Sequence, residues 1–152
     1  AEAPRPLMVC FIGCHEDAAV ADEMHQNYIK GYSRSALDHY EFHNEGLADI
    51  KGYEYYGGLS KNIKKHGIGA FVDFLSDLQV WGTPDQVFER LMDYQKLTDC
   101  AGFIGVFSYG GMPHEMAREN MACFAEKVLP RLKAHHVPEE VGGGQPLTIA
   151  AE

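Results

Sequence analysis

Two continuous apolar segments constrain the fold of this chain more than any other feature. The first is LMVCFIGC, residues 7–14, and the second is GFIGVFS, residues 102–108. Apolar runs with β-branched and aromatic residues, and no polar alternation, are typical of strands covered on both faces, as in a parallel sheet. Segments of helical periodicity lie between them and after the second. An α/β protein with parallel strands is therefore predicted.

The clearest helix signal is VWGTPDQVFERL, residues 80–91. Thr83 is a suitable N-cap, and Pro84 fits the first helical position, where no backbone N–H is needed. Gln86 completes a capping box, so residues 84–98 are predicted to form a helix. The apolar face of this helix comprises Val87, Phe88, Leu91, Tyr94 and Leu97.

Two further helices are predicted from the spacing of apolar residues. One follows the first strand and has an acidic start, which suits a helix N-terminus. Its face comprises Ala19, Val20, Met24 and Tyr28, joined by Ala36 and Leu37 if the helix passes Gly31. The other opens at Pro113, and its face comprises Ala117, Met121, Phe124, Val128 and Leu132.

The segment between residues 40 and 80 has no long regular period and contains six glycines. A stretch of this length without clear elements is either a functional loop or disordered. Short helices are predicted near residues 59–65 and 71–78. The Gly- and Pro-rich tail, residues 137–152, is predicted to be flexible.

The overall composition narrows the classes of function. A length of 152 residues suits one domain, and a net charge of −9 argues against nucleic acid or an anionic membrane as a partner. The four cysteines lie in strand-like or helical segments or beside them, and we interpret them as reduced residues of a cytoplasmic protein. The chain opens without an initiator Met, which indicates processing or a piece of a longer protein. Two strands do not bury themselves, so the chain is predicted to hold part of a sheet.

The segment from residue 80 to residue 133 resembles the C-terminal end of luciferase-like flavin-dependent monooxygenases, the bacterial luciferase family. The resemblance rests on Gly82-Thr83-Pro84, the strand at 103–108, the Gly110-Gly111-Met112-Pro113 turn, and Phe124 with Val128-Leu129-Pro130. The first strand, the helix after CHED and the GYEYYGG segment are also similar to this family. In all, the resemblance covers about residues 6–135.

The resemblance implies a fold, which in this family is a (β/α)₈ TIM barrel. Residues 7–14 would be its seventh strand and residues 102–108 its eighth, giving the last two βα units. Residues 1–136 would form this C-terminal segment, with 40–80 as a mobile lid insertion over the active site. The first six strands, which in the family supply most flavin-phosphate contacts, are absent from this sequence.

The resemblance also implies where the chemistry would lie, because TIM barrels carry it at the carboxyl ends of their strands. After the first strand these residues are Gly13, Cys14, His15 and Glu16; the alternative is an ordinary helix N-terminus. After the second strand they are Phe107, Ser108, Tyr109, Gly110 and Gly111, which would wall the flavin ring or substrate; the alternative is a tight turn. No catalytic residue is identified.

A basic cluster in the lid region comprises Lys61, Lys64, Lys65 and His66. Lys64, Lys65 and His66 are the candidates to close over an anionic flavin phosphate or a peroxide intermediate; the alternative is a solvated basic face. His39 and His43 have a spacing that suits two metal ligands on one helix face. Because no third ligand follows at a recognisable spacing, no metal site is predicted.

The function implied is that of the C-terminal part of a monooxygenase that uses reduced FMN, or a related flavin, and O2 on a small organic substrate. The alternative is a non-catalytic or split remnant that works as an oligomerising or partner-binding module. The partners implied are a second copy or a complementary barrel segment, with a flavin reductase as the flavin supplier. The chain alone is not expected to bind flavin tightly or to remain monomeric.

Overall fold

The computed structural model describes residues 4–135, so the tail predicted to be flexible lies outside the described residues. The strands are β1 (Leu7–Cys14), β2 (Val80–Gly82) and β3 (Gly102–Val106). The α-helices are α1 (Ala18–Glu23), α2 (Lys30–His39), α3 (Glu54–His66), α4 (Ile68–Asp77), α5 (Pro84–Thr98), α6 (His114–Cys123) and α7 (Leu129–Ala134). Two π-helical turns (Met24–Ile29 and Phe124–Val128) and a 3₁₀-helix (Glu45–Asp49) complete the elements.

The three strands form an open parallel sheet in the order β2-β1-β3. The two apolar segments, β1 and β3, pair directly with each other, with Val9 opposite Ile104. The prediction of only two strands is wrong, because β2 pairs with residues 12–14 on the other side of β1. At three residues, β2 is too short to carry a recognisable strand pattern. The eighth-strand candidate also ends at Val106 rather than residue 108.

Helices cover both faces of this sheet. One face buries the even-numbered residues of β1, such as Ile12, against Val87 and Leu91 of α5 and Val128 of the second π-turn. The other face packs Phe11 against Met24 and Ile29 of the long first helix and against neighbouring side chains. Since β1 is apolar on both faces, this arrangement agrees with its continuous apolar sequence.

The first helix runs without a break from α1 through the Met24–Ile29 turn into α2, and so it passes Gly31. Buried positions recur every fourth residue along it, at Ala21, His25, Ile29, Ser33 and Leu37, and Met24 is buried beside them. The prediction that Ala19 faces the core is wrong. Ala19 lies about 200° around α1 from the buried Ala21, and so it faces away from the core.

Two residues of the later predicted faces are exposed. Leu97 is 80% exposed because it lies about 120° around the helix from Leu91. Met121 is 45% exposed because the buried face of α6 is centred on Asn120, a polar residue that an apolar pattern does not count.

The segment between residues 40 and 80 is largely helical, so the prediction of a long irregular segment is wrong. The short helices predicted near 59–65 and 71–78 are confirmed as parts of α3 and α4. These helices build a third apolar cluster with the end of α2, comprising Leu37, Ile63 and Val72. A Cβ on Gly57 would lie 2.4 Å from the Ala48 Cβ, so this glycine serves helix packing rather than a loop.

The capping box of α5 is present, and Thr83 N donates to Gln86 Oε1 at 2.8 Å. We expect Thr83→Ala to lower the free energy of unfolding by about 1 kcal/mol, because a helix N–H loses its side-chain acceptor. Chemical denaturation measures this change. Thr98→Ala is the control, because the Thr98 hydroxyl donates only to a carbonyl of its own helix. An unchanged midpoint for Thr83→Ala would contradict the capping role.

Candidate functional site

The carboxyl ends of the three parallel strands meet at one edge of the sheet, where α/β proteins place their ligands. Two buried side chains join the ends of β1 and β3. The Tyr109 hydroxyl donates to Ile12 O at 3.0 Å. Asn120 of α6 accepts from Cys14 N at 2.8 Å and donates to Ile12 O at 2.6 Å and to Phe107 O at 3.1 Å. The residues predicted to follow the two strands are therefore brought together.

The segment after β3 is held closely against the rest of the protein. Burial raises the pKa of Tyr109, which keeps its phenol protonated as a hydrogen-bond donor. Phe107 packs edge-on against Phe124 on the α5 side of the sheet, with 5.0 Å between ring centroids. Ser108 is exposed. Only Ser108 therefore offers a free polar side chain at the end of β3.

Two glycines allow a close approach at this edge. Gly110 has φ +61°, and a Cβ there would lie 2.4 Å from Tyr28 O. A Cβ on Gly13 would lie 3.3 Å from the Met24 Cβ. These contacts seat the turn after β3, and the end of β1, directly on the first long helix.

His15 and Glu16 lie at an ordinary helix N-terminus, which is the alternative that the sequence analysis gave to a catalytic role. His15 Nδ1 accepts from Asp17 N at 3.0 Å, and the Asp17 carboxylate caps α1 through Ala19 N at 2.8 Å. Glu16 forms an ion pair with Lys127 at 3.1 Å. Both side chains thus serve local structure at the end of β1.

Beneath this edge lies a stacked pair of rings, His25 and Trp81, which the sequence analysis did not predict. Their rings lie 4.0 Å apart and 9° from parallel. His25 Nε2 lies 3.3 Å from Asp77 Oδ1, but the angle between them does not suit a hydrogen bond. Neither His25 Nε2 nor Trp81 Nε1 has a hydrogen-bond partner among residues 4–135. The available signals were that Trp81 is the single tryptophan and that His25 falls four residues after Ala21 on the buried helix face. The pair adds two buried, unsatisfied nitrogen atoms to the site.

The buried imidazole makes stability depend on pH. Burial, followed by the charge of Lys30, lowers the pKa of His25, while Asp77 opposes the change. Below the unfolded-state pKa of about 6.5, the unfolded chain therefore binds a proton that the folded chain does not. We expect the free energy of unfolding to fall as the pH drops below about 6.5, by at most about 1.4 kcal/mol per pH unit, until the lowered pKa is passed.

This pH dependence is measured by denaturation at several pH values, with His25→Leu beside the wild type. His43→Gln is the control, because His43 is exposed. The slope should shrink in His25→Leu and remain in His43→Gln. Equal slopes in all three proteins would exclude His25 as its source.

The basic cluster lies apart from the strand ends. Lys64, Lys65 and His66 occupy the last turn of α3, where positive charge suits the helix dipole. Lys64 Nζ pairs with Glu45 Oε1 at 2.7 Å. The α3 core residue Ile63 belongs to the third apolar cluster, not to either cluster at the sheet. The structure therefore does not join these three residues to Phe107, Ser108, Tyr109 and Gly110.

His39 and His43 do not lie on one helix, because α2 ends at His39 and His43 lies in the following turn. Within residues 4–135, no three His, Cys, Asp or Glu side chains gather as metal ligands would. Among the same residues, no helix is both long and apolar enough to cross a bilayer.

The chain is similar to a known protein family. The family model described as luciferase-like monooxygenase matches residues 1–99, which include β1, β2 and all of α5. The match ends before β3. No curated protein matches the chain.

Proposed function

This chain belongs to the luciferase-like monooxygenase family, and from that premise we propose that it is the C-terminal part of a reduced-flavin-dependent monooxygenase. In this proposal β1 and β3 serve as the last two barrel strands, and the reaction uses O2 on a small organic substrate. The observation that carries it is an unfinished sheet: three parallel strands, of which β1 and β2 lie within the family match, end in two edges that other strands of the described chain do not cover.

An exposed apolar patch supports completion by another polypeptide. Leu7 and Val9 of β1 are 61% and 60% exposed, and Ile104 of β3 is 49% exposed. Val9 and Ile104 are opposite each other in the register and lie on the same face. Large apolar side chains that stay exposed beside an open strand edge are typical of an interface. The occupant we propose is a complementary barrel segment or a second copy of this chain.

The described residues do not by themselves fit a complete flavin site. Tyr109 and Asn120 already use their polar groups on the backbone of β1 and β3, and Gly110 is packed on Tyr28 O. Lys64, a candidate for the phosphate, is paired with Glu45 away from the strand ends. We therefore propose that reduced FMN, or a related flavin, is held mainly by the completing segment.

In this proposal, Phe107, Ser108, Tyr109 and Gly110 contribute a wall near the flavin ring. Lys64, Lys65 and His66 approach only if the 40–80 segment closes as a lid, and Lys64 would then exchange its ion pair with Glu45 for the flavin phosphate. The lid would exclude water from the reacting centre. A flavin reductase would supply the reduced cofactor.

A second candidate is a non-catalytic remnant of the barrel that works as an oligomerising module. A barrel carries its helices on the outer face of the sheet, and its inner face is filled by strand side chains. Here the first long helix packs on the face opposite α5. That observation favours the remnant, because the helix occupies space that a closed barrel gives to its interior.

Sedimentation velocity and a flavin titration test the two parts of the proposal separately. We expect the purified chain to be at least dimeric, and Val9→Lys with Ile104→Lys to shift it toward monomer. Leu97→Lys is the matched control, since Leu97 is exposed but lies on α5, away from the patch. Anaerobic titration with reduced FMN should show weaker than micromolar affinity for this chain alone.

The outcomes separate the candidates. Flavin absorbance that co-purifies with a completed assembly would favour the monooxygenase, and a colourless oligomer would favour the remnant. A well-folded monomer that binds FMN at micromolar concentration would overturn both the completing interface and the shared flavin site.

A further inference from the structure

Two cysteines from distant parts of the chain meet at the carboxyl end of β1. Cys14 Sγ and Cys123 Sγ lie 3.6 Å apart, although 109 positions separate the two residues. Cys14 is the last residue of β1 and is fully buried, whereas Cys123 is the last residue of α6 and is half-buried. The two sulfur atoms are in direct contact, and Cys123 is the more exposed of the two residues.

The contact is positioned by a hydrogen bond between the same two elements. Asn120 precedes Cys123 by three residues and lies near it around α6. Asn120 Oδ1 accepts from Cys14 N at 2.8 Å, so the α6 turn that carries Cys123 is fixed on the end of β1. A disulfide needs the sulfurs about 2 Å apart, so the two side chains must move together from the 3.6 Å contact when the bond forms.

We infer that Cys14 and Cys123 form a reversible redox pair, closed to a disulfide by hydrogen peroxide. This modification site does not depend on the proposed flavin chemistry. Before oxidation all four cysteines are free, as they are in the structure.

The order of the two steps follows from exposure. Cys123 meets the solvent, and its thiolate attacks peroxide, forming a sulfenic acid and releasing hydroxide that becomes water. The Cys14 sulfur then displaces the sulfenic hydroxyl, which leaves as a second water while the sulfur–sulfur bond forms. The two thiols lose two electrons and two protons, and one peroxide is reduced to two waters. Burial, followed by the neighbouring Cys123, raises the pKa of Cys14, so Cys14 is the poorer candidate for the first attack on peroxide.

Cys10 and Cys100 provide an internal comparison. Both are buried, and burial raises the pKa of Cys10 to about 11. A thiol that is shielded from solvent reacts slowly with peroxide. We therefore expect these two cysteines to remain free while Cys14 and Cys123 react.

The test is mass spectrometry of the folded wild-type chain after mild treatment with hydrogen peroxide and alkylation of the remaining thiols. We expect a loss of about 2 Da before alkylation, with no oxygen gained, and reversal by dithiothreitol. Because Cys10 and Cys14 lie close in sequence, chymotrypsin is used to cleave after Phe11 and separate them. A peptide containing Cys14 linked to one containing Cys123 is the expected product.

Variants identify the pair without relying on peptides alone. Cys123→Ser should abolish the cross-link, and Cys100→Ala should retain it. Oxidation should raise the Tm of the wild type by about 5–10 °C, because the bond closes a long loop, and should leave the Tm of Cys123→Ser unchanged. Oxygen addition to Cys123 without a cross-link, unreacted thiols, or a link that includes Cys10 or Cys100 would overturn the inference.

Discussion

Asn120→Leu is expected to lower the free energy of unfolding by about 3–5 kcal/mol. Leucine is of similar size but leaves Cys14 N and Phe107 O without their Asn120 partner in a buried site. Each buried backbone group left without a hydrogen bond costs about 1–3 kcal/mol. Ile12 O is affected less, because the Tyr109 hydroxyl still donates to it. Urea denaturation of the wild type and the variant measures the loss.

The control for this experiment is Asn62→Leu, at an exposed position of α3. It makes the same chemical change without opening a buried hydrogen-bond network, so its effect should stay within about 0.5 kcal/mol. Comparable losses at the two positions would show that Asn120 does not hold the strand ends together. Tyr109→Phe adds a milder test, because it removes only one hydrogen bond to Ile12 O, at a cost of about 1 kcal/mol.

Gly110→Ala is the second change with a large expected effect, about 2–4 kcal/mol of lost stability. Its φ of +61° is strained for any residue with a Cβ, which costs about 1–2 kcal/mol. The added Cβ would also lie 2.4 Å from Tyr28 O, a backbone atom that moves only if the first long helix moves. Thermal and urea denaturation measure the combined cost.

The neighbouring Gly111 separates these two effects. It also has a positive φ, +77°, but a Cβ there would meet no atom within 4 Å. Gly111→Ala should therefore show only the conformational cost, about 1–2 kcal/mol. If the two alanine variants are equally unstable, the close approach to Tyr28 contributes nothing.

The same region connects stability with the proposed function. Asn120 and Gly110 hold the end of β3 against β1 and the first long helix, and Phe107, Ser108 and Tyr109 directly precede Gly110 in the chain. A contribution of these residues to a flavin wall requires this edge to stay in place. Loss of folding in either variant must therefore be measured before any change in flavin affinity is interpreted.

Local sequence was sufficient for the regular elements. The apolar run at residues 7–14 became β1, and the Thr83-Pro84 start and the 84–98 range of α5 agree with the structure, because capping and binary patterning are encoded within a few residues. The luciferase-like sequence features likewise pointed to the family whose model matches residues 1–99. None of these features needs a distant partner to be recognised.

Tertiary structure decided what depends on contacts between distant segments. The three residues of β2 become a strand only because β1 offers them a partner, and Gly57 of α3 leaves the space into which Ala48 packs. In the sequence, Asn120 and Cys123 are ordinary helix positions. Only the packing of α6 on the end of β1 brings them to Cys14, which lies 106 and 109 positions away in the chain. A buried polar contact of this kind leaves no periodic signal, because its partners are chosen by the packing of whole elements rather than by their neighbours in the chain.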